Sequence, residues 1–199
     1  MQRRTPLTDL PENYVEVLEW RLIGFGRYML LNLVALVPMA LAIVWMAGWL
    51  ILLSALRDTP VNTGNGSAPL WLGFIVIVAV LPLHEWLHGI GIAWAGHKPR
   101  YGMKAKSLVL YATADNALFW RNHFIVIALL PLLGITLLGM LWTGVVSDGV
   151  LVYSGVLAVV LNAAAAVGDL WMVGLVLRYP MSALVRDEAD GIRVYVQMS

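Results

Sequence analysis

Four long apolar runs, at about residues 28–56, 70–95, 123–145 and 149–177, leave this chain few ways to fold. Each is long enough to cross roughly 30 Å of hydrocarbon, which takes about 20 helical residues. Inside lipid a backbone must satisfy its own polar groups, so such runs are expected as helices. With 60% hydrophobic and 13% charged residues among 199, the composition is that of a polytopic membrane protein. The fold class expected is therefore an all-α integral membrane protein with four transmembrane helices. Its organisation is expected to be a single membrane-embedded domain over residues 1–199. An N-terminal cytoplasmic segment covers 1–27, the transmembrane core 28–177 and a cytoplasmic tail 178–199.

The first run suits one long tilted helix bent at Pro38, with length enough to hide a short re-entrant piece. The N-terminal stretch MQRRTPLTDLPENYVEVLEW carries four acidic residues and meets no apolar run until about Tyr28, so the first span is expected to be permanent rather than a cleaved signal. Lys and Arg sort by loop: four precede the first run, only Arg57 lies in the next loop, five fall in 96–122 and three follow Leu177. By the positive-inside tendency both termini and the 96–122 loop face the cytoplasm. The loop holding Asn65-Gly66-Ser67 then lies outside, and that sequon reads as a coincidence. Within 96–122, RYGMKAKSLVLYAT has two readings, a small hairpin at the membrane surface or an irregular basic loop held by headgroups. After the fourth run, Asp190-Gly191 precedes an alternating Ile192, Val194, Val196, the pattern of a small strand pair. A net charge of +1 gives no electrostatic case for a nucleic-acid partner. The expected partners are the lipid bilayer and a membrane-associated peptide or protein substrate.

The second run contains LHEWLHG, residues 83–89. An ionisable side chain at the bilayer centre costs about 2.5–3.5 kcal/mol on insertion scales, so two histidines and a glutamate there need a compensating partner. His84 and His88 are four apart and share a helix face, where both imidazoles can reach one ion at about 2.0–2.1 Å. Glu85 flanks that face as the general base of an H-E-x-x-H site, not as a ligand. Composition alone predicts roughly 0.002 occurrences of this pattern, so chance explains it poorly. The chain has no cysteine, which leaves nitrogen and oxygen ligands and makes Zn2+ the expected cofactor.

A third ligand is then required. The extended pattern H-E-x-x-H-x-x-G-x-x-H holds through Gly91 but ends on Trp94, and no Glu occurs between Glu85 and Glu188. Of Asp58, His97, Asp115, His123, Asp148 and Asp169, only Asp169 lies well inside an apolar run. Depth agrees: residue 86 stands roughly 15 Å before the inner end of its span and Asp169 roughly 13 Å before Arg178, at 1.5 Å per residue. Small residues near both halves, Gly91 and Ala95 on one span, Ala165 and Ala166 on the other, permit close helix approach. His123 near the mouth is expected as an interfacial anchor.

HEWLH in one span, a Gly-Asp-Leu aspartate in a later one, the leading Leu10-Pro11 and Pro131 early in the third span resemble a family of small zincin membrane proteins related to the site-2 intramembrane metalloproteases. The resemblance spans about residues 10–196 and implies a zinc metallopeptidase. In the site-2 class the third ligand is typically an aspartate in an N-x-x-P-x-x-x-L-D-G-like stretch, which maps onto Asp169 and lends Asn162 a substrate-binding role. Here the order is Gly168-Asp169, no proline intervenes, and Asn162 precedes the aspartate by seven residues. Two other classes compete: a metal transporter or sensor, and a catalytically silent scaffold of the same fold. Transport favours polar residues along several spans, yet the first and third carry little beyond Asn32 and Thr136. A silent scaffold has no need of Glu85.

Overall fold

The apolar runs are helical in a computed structural model that describes residues 7–62, 70–104, 109–188 and 191–198. The Asn65-Gly66-Ser67 triplet and Asp190 lie outside the described residues. Helices α1 (Phe25–Arg57), α2 (Leu70–Trp94) and α3 (Arg121–Val145) are each long and apolar enough to span a bilayer. The fourth run is broken: α4 (Gly149–Ala165) and α5 (Val167–Val176) meet at an angle of 45° and count as a fourth span only when taken together. Over a window of α1 only 11% of residues are buried, and Phe25, Val44 and Leu56 lie open, an apolar surface suited to lipid rather than water.

The all-α expectation is overturned. Among the described residues, six strands form two antiparallel sheets beside five helices. One sheet has two strands, β2 (Arg100–Lys104) and β3 (Val109–Thr113), paired from Arg100↔Thr113 to Lys104↔Val109; of the two readings of this basic loop, the hairpin is the observed one. The other has four, in the order β1-β6-β5-β4, from β1 (Tyr14–Arg21), β4 (Leu118–Trp120), β5 (Leu184–Glu188) and β6 (Gly191–Gln197). Its β5–β6 pair is the expected strand pair of the tail, while β1 and β4 complete a sheet that a loop-only reading of 1–27 omits.

The chain divides into two compact units, and the divisions fall inside α1 after Leu31, inside α2 after His84, inside α3 after Pro131 and at the start of α5 after Val167. The first unit comprises Met1–Leu31, Glu85–Pro131 and Gly168–Ser199. One face of its four-stranded sheet presents Phe119, Val185, Ile192 and Val194 to Ile92 of α2, Phe124 and Ile127 of α3, and Val173 and Val176 of α5. The opposite face buries Leu118, Leu184 and Tyr195 under Leu7, Leu10 and Tyr14. Near its rim Arg193 pairs with Glu16, Glu19 and Glu188, and Arg21 with Glu19 and Glu188. The second unit, Asn32–His84 and Leu132–Val167, has helices and no strand among the described residues. In it Ala42 and Met46 of α1 pack on Val159 and Ala163 of α4. A Cβ on Gly139 would collide with Val159 and stand 3.2 Å from the Gly155 carbonyl, so glycine sets the closeness of α3 to α4. Trp49 Nε1 donates to Thr143 Oγ1 at 3.0 Å, which satisfies an indole N–H where lipid offers no acceptor.

Candidate metal centre

His84 and His88 occupy successive turns of the continuous helix α2, and each imidazole is fixed by a different neighbour. Nδ1 of His84 lies 2.8 Å from Oδ1 of Asn162, a fully buried side chain on α4. Nδ1 of His88 lies 3.0 Å from the backbone carbonyl of Ile127 on α3. Both partners are oxygens that accept, so each Nδ1 donates in these pairs and Nε2 is the ring nitrogen left for another partner. Tying one ring nitrogen to an oxygen is how a metal-binding histidine is oriented and tautomerically fixed.

Asp169 reaches the same place because the fourth run breaks. Ala166 ends α4, its N–H still bonded to the Asn162 carbonyl at 2.9 Å, and α5 restarts at Val167. Asp169 thereby sits in the first turn of a new helix, where the positive end of the macrodipole favours a carboxylate. Its Oδ1 stands 3.5 Å from His88 Nε2. Ligand atoms on His84, His88 and Asp169 all fall within 4.8 Å of one another.

One of those separations has the length of a coordination edge. Bonds of about 2.1 Å around a tetrahedral ion put neighbouring ligand atoms about 3.4 Å apart. The 3.5 Å between His88 and Asp169 matches such an edge and is long for a direct N–H···O bond. Two neutral imidazoles and one carboxylate are a zinc donor set with a position to spare. Glu85, half-buried, follows His84 directly and is off the shared ligand face.

The other candidate ligands have different occupations. Asp148 caps α4, accepting from the N–H groups of Val150 and Leu151. Asp115 pairs with Arg100 at the hairpin. Asp58 follows the last residue of α1 with φ 51°, in the left-handed conformation that ends helices. His97 packs edge-on to Phe119 at 4.9 Å, and burial holds its pKa below the ordinary value. His123 lies edge-on to Trp94 at 5.1 Å. Asn162, mapped by resemblance to substrate, lies against the His84 ring. Gly91, expected to ease contact with the fourth span, meets the third: a Cβ there would stand 3.1 Å from Ile127 Cα.

Two participants escape a reading of the sequence. The Ile127 carbonyl carries no signature at all. Asp187 is the other. It follows Val185 by two residues on β5 and pairs with Ile192, so it shares the sheet face that meets α2, α3 and α5. Burial pushes its carboxyl up to about 7; His88 draws it down, and the charges of Asp169 and Glu85 raise it further.

Comparison with known proteins bears on one part of the chain. No match was found among curated proteins or among solved structures. The model of the DUF3267 family, "Putative zincin peptidase", matches residues 77–184, a stretch that begins before His84 and ends beyond Asp169. That is 108 of the 199 residues, more than half, and the chain belongs to this zincin peptidase family.

Proposed function

We propose that the chain is a zinc-dependent intramembrane metallopeptidase that hydrolyses peptide bonds of membrane-associated substrates within or near the cytoplasmic side of the bilayer. The observation that carries this reading is the convergence of His84, His88 and Asp169, with both Nδ1 atoms engaged and Glu85 adjoining. His84, His88 and Asp169 would hold zinc, which when bound would supply Lewis acidity for water activation and carbonyl polarisation. Glu85 accepts the proton of the attacking water and passes it to the leaving amine. Asn162 and the Ile127 carbonyl keep the two imidazoles in the ligating tautomer. The β2–β3 hairpin offers strand edges to which an extended substrate can add, and extension frees the scissile carbonyl from helical hydrogen bonding. The excess of Lys and Arg at both termini and in 96–122 supports a cytoplasmic position for the hairpin and the four-stranded sheet.

The test is metal analysis of the purified wild type beside His84→Ala, Asp169→Ala and Glu85→Gln, with cleavage of a candidate membrane substrate. The expected result is loss of zinc from the first two variants, and retained zinc without cleavage in the third. Normal zinc content in Asp169→Ala refutes the ligand set. Metal flux into liposomes that survives Glu85→Gln would establish a transporter instead.

A further inference from the structure

An ordinary residue at position 131 of α3 would send its N–H to the carbonyl four residues earlier, that of Ile127. Proline has no N–H to send. The carbonyl so released is the one that accepts from His88 Nδ1 at 3.0 Å. We propose that Pro131 is a positioning residue of the metal centre: by withholding the helical hydrogen bond it leaves the Ile127 carbonyl to His88, and so sets the tautomer and ring orientation of that ligand. This rests on the metal reading above.

A second feature converges on the same backbone. Gly91, three residues after His88 on α2, stands so close to α3 that a Cβ would lie 3.1 Å from both Cα and Cγ1 of Ile127. Glycine on one helix thus brings the imidazole within reach, and proline on the other supplies the acceptor. A carbonyl has two lone pairs and can in principle serve both donors. A helical N–H nevertheless holds it along the helix axis, whereas His88 approaches from the side, on a different helix. A proline whose only work were to bend α3 would act through its ring and through shape. The two roles separate chemically, because a residue can lack the N–H without possessing the ring.

The experiment measures zinc affinity of the full-length chain in detergent by competition with a chelator. Pro131→Ala, which restores the N–H, is expected to bind zinc about tenfold more weakly, the lower end of what losing an outer partner of a ligating histidine costs. Replacing residue 131 with lactic acid, whose backbone ester has neither N–H nor ring, is expected to bring the affinity back to within about threefold of wild type. Pro38→Ala in α1, a helical proline far along the chain from any ligand, controls for general effects of proline removal and is expected to leave zinc affinity unchanged. Wild-type affinity in Pro131→Ala overturns the proposal, as does an ester variant no better than Pro131→Ala. Zinc retained by His84→Ala would instead overturn the metal centre itself, so the two failures are distinguishable.

Discussion

Oδ1 of Asn162 sits 2.8 Å from Nδ1 of His84, with both side chains buried, so Asn162 is the hydrogen-bond partner of a candidate ligand. Removing it leaves an imidazole N–H without an acceptor where water is scarce, at a cost of about 1–3 kcal/mol. Asn162→Leu is expected to weaken zinc binding by about 10–100-fold. Asn162→Asp keeps an acceptor at the same reach and is expected to keep most of the affinity. A direct substrate role would show the reverse, a raised KM with zinc affinity intact, so chelator competition on these two variants decides between the roles.

Glu85 is half-buried beside the helix face of His84 and His88 and lies outside the group of side chains that could hold a metal. Glu85→Gln preserves size and hydrogen-bonding capacity but cannot accept a proton. It is expected to lower kcat by about 10²–10⁴-fold, the usual worth of a positioned general base, with zinc stoichiometry unchanged. Comparable turnover by Glu85→Gln and wild type on one substrate would remove Glu85 from the chemistry.

How far the site was legible from the residues follows from what each interaction depends on. His84, Glu85 and His88 declare themselves because ionisable groups in an apolar run need a reason, and helical periodicity alone aligns the two histidines. Asp169 was reached the same way, by standing where a carboxylate is costly. The break at Ala166 that aims it was not legible, since alanine favours helix and Gly168, the nearby helix-weakening residue, falls inside α5 and not at the break. The backbone acceptor at Ile127 was hidden for another reason. Pro131 announces a missing bond within its own helix, but only tertiary packing reveals who takes the freed carbonyl. In the fold, hydropathy identified the helices and missed half of the sheet. Tyr14–Arg21, YVEVLEWR, does alternate at its start, but a bulge between Glu16 and Leu18 interrupts the period, and Leu118–Trp120 is too short to show one. Both strands become strands by pairing with the distant tail, a long-range fact that local pattern does not contain.

Gly139 on α3 and Gly155 on α4 approach closely enough that side chains there have no room: a Cβ on Gly155 would stand 2.7 Å from Trp142 Cδ1 and 2.9 Å from Thr143 Cγ2. Gly139→Val forces the helices apart and is expected to destabilise the protein by about 1–3 kcal/mol, seen as a lower melting temperature in detergent. Gly174→Ala, on α5 with nothing within 4 Å of the added Cβ, is expected to melt like wild type or slightly higher. Equal melting of Gly139→Val and wild type would show that this crossing is looser than the contacts imply.

Asp187 gives the metal-free protein a pH signature whose sign is fixed by its environment. Its folded-state pKa is raised from 3.8 to about 7, chiefly by burial, so the folded chain holds that proton more tightly than the unfolded chain does. The stabilisation this represents is complete below the unfolded value and is lost as pH rises through about 7. His97 works in the opposite direction: its lowered pKa favours the folded state above 6.5 and is penalised as pH falls. Comparison of wild type with Asp187→Asn cancels the His97 contribution. The chelator-treated wild type is therefore expected to lose stability relative to Asp187→Asn between about pH 4 and pH 7, because burial leaves the folded carboxylate short of counter-charge. A divalent ion at His84, His88 and Asp169 supplies that counter-charge and favours the ionised form, so zinc is expected to flatten the difference. Parallel pH–melting curves for the two metal-free proteins would mean that the Asp187 carboxyl is solvated and does not face the site.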